Sequence, residues 1–247
     1  MINKSISVFL PAYNEEENIT AVLIAVNDYL KVRFSDYEIL VISQGSTDNT
    51  NDLVRSLKSE INQLSLLTKD QCLGYAAVLR TGFANSTKEL IFYTDSDCQY
   101  DIKELDKLLP LIEEYDIVTG YKYERHDPLM RLWLGMIYNT TMKLLFKLNV
   151  KDVNCAFKLY RRKVIDKIIF LPMLTEGVIN AEVYVSALSN GYTIGEVGVH
   201  HYARTKGQGA ELGKRGKIIA FVNPLLIIRA LRDTLALFNK VYIKRKP

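Results

Sequence analysis

A repeated alternation limits the fold of this chain more than any other feature: a short apolar run, a polar turn, then an amphipathic stretch of helical length. Residues 5–10, 38–42, 64–67, 90–93 and 116–119 read as strands. Residues 14–31, a segment ending near Glu60, 74–83 and 101–115 read as the helices between them. Connections of that length return the chain to begin a parallel neighbour instead of closing a hairpin. The expected fold class is therefore α/β, a mostly parallel sheet with helices on both faces, whose ligands gather at the carboxyl ends of the strands. With 247 residues, 48% of them hydrophobic, the chain can build the core of one large domain. No run approaches the roughly 18 uninterrupted apolar residues of a spanning helix. The first is broken at once by Pro11, Asn14 and the acids at 15–17, so it reads as a strand and not as a leader.

Three polar loops leave the carboxyl edge. The fourth strand runs into Tyr93-Thr94-Asp95-Ser96-Asp97-Cys98-Gln99-Tyr100-Asp101. Two carboxylates one residue apart raise each other's pKa unless a cation neutralises them. Such an oxygen-rich cluster suits Mg2+ or Mn2+, with positions left for phosphate oxygens. The plainer reading is a solvated acidic turn in which Asp101 and Glu104 form a capping box. The first strand ends in Pro11-Ala12-Tyr13-Asn14-Glu15, where a fixed ring, an aromatic and a carboxylate can frame a base and its ribose. The second ends in Ser43-Gln44-Gly45-Ser46-Thr47-Asp48. Each loop alone reads as a capped strand-to-helix turn. Three on one edge, one able to hold a metal, describe a site for a nucleotide diphosphate.

The net charge of +4 is unevenly placed. From Ala203 onward eleven Lys and Arg face only Glu211 and Asp233, a net of +9; with +4 for the whole chain, the rest carries −5. A basic tail on an acidic body points to an anionic partner. The tail interleaves its charges with Leu and Ile, not with the exposed aromatics of a single-strand binder, which argues against nucleic acid. Asn223-Pro224 reads as a cap and first-turn proline. The helix from there to about Lys240 sets Arg229, Arg232, Asp233 and Lys240 apart from a broad apolar face. Together with residues 129–150, rich in Leu, Met, Trp and Phe, it fits either a membrane interface or packing on the body. Three cysteines without ligand spacing point to a reducing compartment, and they read as small buried residues.

The segments Phe9-Leu10-Pro11-Ala12-Tyr13-Asn14-Glu15-Glu16, Gly45-Ser46-Thr47-Asp48-Asn49-Thr50 and Asp95-Ser96-Asp97-Cys98-Gln99 resemble the family-2 glycosyltransferases of the GT-A fold. These are inverting, metal-dependent enzymes that use nucleotide sugars. Arg80-Thr81-Gly82, residues 152–161, and His201 with Arg204 and Gly207 extend the resemblance to about Gly209. Within the group the chain is most similar to the dolichyl-phosphate mannose synthases and other polyprenyl-phosphate glycosyltransferases. The resemblance implies a catalytic domain over residues 1–215, a basic amphipathic tail over 216–247, and attachment to the cytoplasmic face of a membrane.

It also implies roles. Pro11, Tyr13 and Glu15, with Ser43, Gln44 and Asp95, would bind the nucleotide, UDP- or GDP-linked. Asp97 and Gln99 would ligate the metal. Asp95, Asp97, Asp152 and Arg204 would serve catalysis, and Arg131, Asn139, Lys158 and His201 would meet the polyprenyl phosphate. Ser43-Gln44 stands where relatives carry two aspartates, and Cys155-Ala156 where Ser-Gly is frequent. Those departures leave the base open, and they keep two other readings in view: transfer to a saccharide hydroxyl, or an inactive relative that only binds. A lipid phosphate is already anionic and needs no general base, whereas a hydroxyl needs a carboxylate to take its proton. Asp152, Glu176 and Glu182 are the candidates. Arg204 and Lys206, beside Gly207-Gln208-Gly209, read as a closing loop that brings positive charge to the leaving group.

Overall fold

The computed structural model describes residues 2–71, 73–123, 129–171, 178–204 and 224–243. The five expected strands are β1 (Ile6–Ala12), β2 (Tyr37–Gln44), β3 (Leu64–Lys69), β4 (Leu90–Thr94) and β5 (Ile117–Lys122). Two more, β6 (Phe157–Arg161) and β7 (Ile194–Val199), complete a seven-stranded sheet in the order β3-β2-β1-β4-β6-β5-β7. All neighbours are parallel except β6, which runs antiparallel to both β4 and β5. That reversal matters for the site. It brings the amino end of β6, and the 152–155 turn before it, to the edge where β1, β2, β4 and β5 end.

Period-two alternation sorts the strand side chains into two cores. Ile6, Val8, Leu10, Ile39, Val41 and Phe92 face α1 (Ile19–Arg33), α2 (Thr50–Leu57) and α4 (Leu105–Leu108). Phe9, Leu40, Ile42, Ile91 and Tyr93 face α3 (Tyr75–Asn85), α5 (Leu129–Phe146), α7 (Ile179–Ser189) and α8 (Pro224–Phe238), with α6 (Arg162–Ile165) at the margin. Helix α3 lies close on β1. A Cβ on Gly82 would come 2.4 Å from the Phe9 ring, so only glycine fits that contact.

Two helices differ from their expected form. Helix α1 starts at Ile19, not at Asn14, because Asn14 adopts φ 53° and its side-chain Oδ1 accepts from Thr47 N at 2.8 Å. The expected helix over 101–115 is instead a 3-10 turn at Ile102–Glu104, the short α4, and a second 3-10 turn at Leu111–Glu113. Pro110 has no N–H to continue the ladder. Asp101 does cap, accepting from Lys103 N, whereas Glu104 turns to Lys107 and His200.

Helix α8 and the π turn after it (Asn239–Ile243) pack on the body. Leu237 is fully buried, Lys240 pairs with the buried Glu182 at 3.0 Å, and Tyr242 Oη donates to Leu145 O of α5 at 2.9 Å. Leu231 remains 63% exposed, with Ile228 and Leu235, and Trp133 on α5 is 62% exposed. Among the described residues no helix is long and apolar enough to cross a membrane. His126, Glu176, Cys72, Lys206 and the 207–209 loop lie outside the described residues.

Candidate active site

Short side chains stitch the three loops together. Asn14 N donates to Ser46 Oγ at 3.2 Å, Glu15 N to Thr50 Oγ1 at 2.8 Å, and Glu16 N to Asp48 Oδ2 at 3.1 Å. These bonds lace the loop after β1 to the loop after β2. Ser96 Oγ donates to Pro11 O at 2.6 Å and so ties in the acidic loop. Asn14 and Cys98 both sit at positive φ, 53° and 61°. Left-handed backbone at two non-glycine residues of adjoining loops is stored strain of the kind that clusters at functional sites. Cys98 is exposed, contrary to its reading as a buried residue, while Cys155 is buried as expected.

Inside this frame three carboxylates crowd together. Burial, with the charge of Asp97 next, pushes the Asp95 carboxyl up to about 7. Burial likewise raises Asp97 and Glu15. Asp97 Oδ1 accepts from Gln99 N at 3.1 Å, and Glu15 Oε2 accepts from Asn18 Nδ2 at 2.8 Å. The counter-charge is Arg204. Its Nη2 reaches both oxygens of Glu15, at 2.6 and 2.7 Å, and its Nη1 lies 3.5 Å from Asp97 Oδ2.

Arg204 is held there by a strap. After β7 the chain zips onto residues 99–104: Tyr202 N donates to Gln99 O and Gln99 Nε2 to Tyr202 O, both at 2.9 Å. His200 Nδ1 meets Glu104 Oε1 at 2.7 Å and its other ring nitrogen meets Tyr123 Oη. His201 is buried edge-on against Tyr100. The strand ends at Val199, so the two histidines diverge after it and not by strand alternation.

Alternation does separate Ser43 from Gln44. Ser43 lies 2.9 Å from Ser46 Oγ on the α1 side. The Gln44 amide lies on the α3 side, buried, with neither oxygen nor nitrogen partnered. A buried amide left unmatched costs on the order of 1–3 kcal/mol, which a hydrogen-bonding ligand recovers.

One acceptor-side candidate, Asn139 of α5, opens onto a cavity at this edge. The cavity, of about 250 Å3, is lined by Tyr121, Lys122, Met136, Asn139, Lys151 and Asp152 among others. Asn139 is partly committed: Nδ2 donates to Lys151 O at 2.9 Å and Oδ1 accepts from Val153 N at 3.2 Å, clamping the loop that carries Asp152. Lys151 stands 4.0 Å over the Tyr121 ring, and Lys122 is near enough to draw down the pKa values of Asp95 and Asp97. The sequence reading passed over both lysines. Their signal was a cation at the carboxyl end of a strand and another one residue before a site motif. Arg131 belongs to α5, its side chain outside the described residues. Lys158 is enclosed beneath the edge instead of facing the cavity. Glu182, a candidate base by sequence, is buried against Lys240 and Leu171 N and so is spent on structure.

Among the described residues no three His, Cys, Asp or Glu side chains cluster to form a metal site by themselves. An ion such as Mg2+ commonly takes one or two carboxylates and completes its shell with water and substrate phosphate. Asp97 and Gln99 meet that requirement. Gln99 has its amide nitrogen committed to Tyr202 O, which leaves its oxygen for a cation, and a guanidinium already rests between Asp97 and Glu15.

Comparison with known proteins gives three findings. Residues 7–169 match the family described as Glycosyl transferase family 2. Undecaprenyl-phosphate 4-deoxy-4-formamido-L-arabinose transferase of Yersinia pestis (strain Pestoides F) is 24% identical over 208 residues, covering 83% of this chain and 62% of that protein. The same transferase of Yersinia pseudotuberculosis serotype O:3 gives the same figures. The chain thus spans 62% of the length of these curated relatives. Among solved structures, glucosyl-3-phosphoglycerate synthase from Mycobacterium tuberculosis with Mn2+, UDP and phosphoglyceric acid superposes with a TM-score of 0.67 at 16% identity, over 96% of this chain and 79% of that one. The same synthase with Mg2+ and UDP gives a TM-score of 0.66 over 96% and 80%. At such identity the superposition speaks for the fold, and that fold is the expected GT-A arrangement.

Proposed function

We propose, from the premise that this chain belongs to glycosyl transferase family 2, that it moves a hexose-type sugar, with inversion, from a UDP- or GDP-linked donor to a polyprenyl phosphate. It acts at the cytoplasmic face of a membrane, with Mg2+ or Mn2+ as cofactor. The observation that carries the reading is the meeting of two half-sites at one sheet edge. Glu15, Asp95 and Asp97 lie on one side, and the cavity between Lys122 and Lys151 lies on the other. The curated relatives, named for transfer involving undecaprenyl phosphate, support that acceptor class.

Asp97 and Gln99 would hold the metal, which when bound would supply Lewis-acid stabilisation of the charge on the leaving nucleoside diphosphate. The remaining work belongs to the chain. Pro11, Tyr13, Glu15 and Ser43 seat the nucleoside, and the unpartnered Gln44 amide takes a hydrogen-bonding edge of the base. Arg204 leaves Glu15 and Asp97 to meet the diphosphate. On the acceptor side Lys122 and Lys151, with Arg131 and His201, hold a phosphate that is already ionised, so no proton need be removed. Residues 1–215 form the catalytic unit and 216–247 the tail that meets the membrane.

Asp152 favours one second reading. It is buried and lines the acceptor cavity, and a carboxylate there suits a hydroxyl acceptor that must lose a proton.

The test is nucleotide release with Mn2+ or Mg2+ from GDP-mannose, UDP-glucose and UDP-N-acetylglucosamine, with a short polyprenyl phosphate, with saccharide or small hydroxyl acceptors, and with no acceptor. Release that depends on the lipid supports the proposal and names base and sugar at once. Release driven only by a saccharide or small hydroxyl acceptor overturns the lipid reading in favour of the second. Nucleotide binding without release from any pairing marks an inactive relative.

A further inference from the structure

Lys158 is a charged group that the proposed transfer does not use. It is the second residue of β6, between the flanking strands, with Tyr93 of β4 and Thr119 of β5 as register partners, and it is 0% exposed. Its Nζ donates to Cys155 O at 2.5 Å and to Tyr93 Oη at 3.0 Å, and it lies 5.3 and 5.5 Å from the ring centroids of Tyr93 and Tyr184. Neither hydrogen-bond partner is a carboxylate. A desolvated ammonium held only by neutral oxygens and ring faces is costly, and burial draws its pKa down to about 8. Packing alone asks for a methionine here.

The two acceptors explain a donor at this place. Cys155 closes the turn that begins at Asp152: Cys155 N donates to Asp152 O at 3.4 Å and Asn154 N to Asp152 Oδ1 at 3.2 Å. Tyr93 stands two residues before Asp95. Its hydroxyl donates to Asn180 Oδ1 at 2.8 Å, and Asn180 Nδ2 returns to Asn154 Oδ1 at 3.3 Å. Lys158, Tyr93 and Asn180 therefore link the 152–155 turn to the end of β4 by two routes. Asp152 and Asp95 are also the two carboxylates whose charge acts on Lys158.

We propose that Lys158 is a positioning residue: its buried ammonium ties the turn bearing Asp152 to the strand end bearing Asp95, and so sets the spacing of the acceptor and donor half-sites. The effect on turnover rests on the glycosyl-transfer reading; the tie itself does not.

Wild type, Lys158→Met and Lys158→Gln are compared by amide hydrogen exchange, thermal melting, UDP–Mn2+ binding and steady-state transfer. For Lys158→Met the expected results are exchange at Asn154 and Cys155 faster by about tenfold or more, a Tm held or raised, and UDP–Mn2+ affinity within about threefold. With these, kcat falls about 100-fold, the scale of an ångström misplacement of reacting groups. Lys158→Gln keeps an N–H for the Cys155 carbonyl on a chain one bond shorter, and it recovers part of both losses. If the methionine variant does not fold, the glutamine variant carries the comparison. Unchanged exchange over 152–155 overturns the proposal. So does joint loss of Tm, nucleotide binding and turnover in both variants, which marks a packing position. If the wild type transfers no sugar, the transfer reading fails, and the exchange result decides the tie by itself.

Discussion

Asp95 keeps its proton to about pH 7 in the folded protein, burial being the main cause and Asp97 the second. In the unfolded chain an aspartate titrates near 3.9, so between the two values the native state holds a proton that the unfolded state has released. That contribution to stability is present below about pH 4 and is lost as pH rises through about 7, with an upper bound of about 4 kcal/mol. The metal-free protein should therefore lose melting temperature between pH 5 and pH 8 by a margin that Asp95→Asn reduces, the raised Asp97, Glu15, Glu182 and Glu196 carboxyls acting in the same direction. The variant isolates this effect from Glu104, Asp106 and Asp116, whose lowered pKa values act in the opposite direction. Identical pH profiles for the two proteins would sink the assignment. Arg204 makes a second case at this scale. Its guanidinium fills the space between Glu15 and Asp97 that a divalent ion would neutralise. Charges about 4 Å apart at an effective dielectric near 20 interact by roughly 4 kcal/mol, and a part of that opposes the ion. Calorimetry on Arg204→Gln should show Mn2+ alone binding roughly tenfold more tightly, and UDP with Mn2+ binding more weakly. Weaker binding of both would mean that Arg204 only supports the fold of the loop.

Among the elements, what the sequence made legible was whatever left a periodic or terminal signature. β1 to β5 were readable because each apolar run ends in a polar turn, and the three site loops because their residues cluster at those ends. β6 was hidden inside a motif, where Lys158 interrupts the apolar pattern of a strand flanked on both sides. Its antiparallel direction depends on pairing with Tyr93 and Thr119, contacts far away in sequence. The early start assigned to α1 failed for a tertiary reason: Asn14 spends its side chain on Thr47 N instead of capping its own helix. The break at Pro110 was local and readable, but the amphipathic pattern on either side outweighed it. Lys122 and Lys151 line one cavity because α5 lies over the end of β5, a juxtaposition that their separate local signals do not reveal. Spacing brought the three polar loops, which follow strands in order, to one edge. It did not anticipate the cavity of Tyr121, Lys122, Asn139, Lys151 and Asp152, which is assembled from β5, α5 and the turn before β6.

At the scale of the whole molecule, α8 packs on the body and leaves its other side open. One side packs on the body through Leu237, Lys240 and Tyr242, while Ile228, Leu231 and Leu235 stay exposed beside Arg229 and Arg232. Helix α5 is similar, with Trp133, Met136, Ile137 and Leu144 exposed and the cations Lys143 and Lys147 alongside. Exposed apolar side chains flanked by cations suit insertion into an anionic bilayer surface. Met136 also lines the Lys122–Lys151 cavity, so a lipid phosphate held there would have its chain beside that surface. Deleting the tail is a poor test, because it uncovers Glu182 and the core around Leu237. Point substitutions on the exposed side avoid this. Trp133→Asp combined with Leu231→Asp should abolish co-sedimentation with vesicles rich in anionic lipid and leave the Tm within about 1–2 °C, since surface changes cost within about 0.5 kcal/mol. Wild-type binding should weaken as salt screens the basic residues. Transfer to a short polyprenyl phosphate in detergent should survive in the double variant, while transfer to the same lipid embedded in vesicles should fall with binding. Undiminished sedimentation of a folded double variant would mean that this face does not meet the membrane, and the acceptor would then have to reach the Lys122–Lys151 cavity from another side.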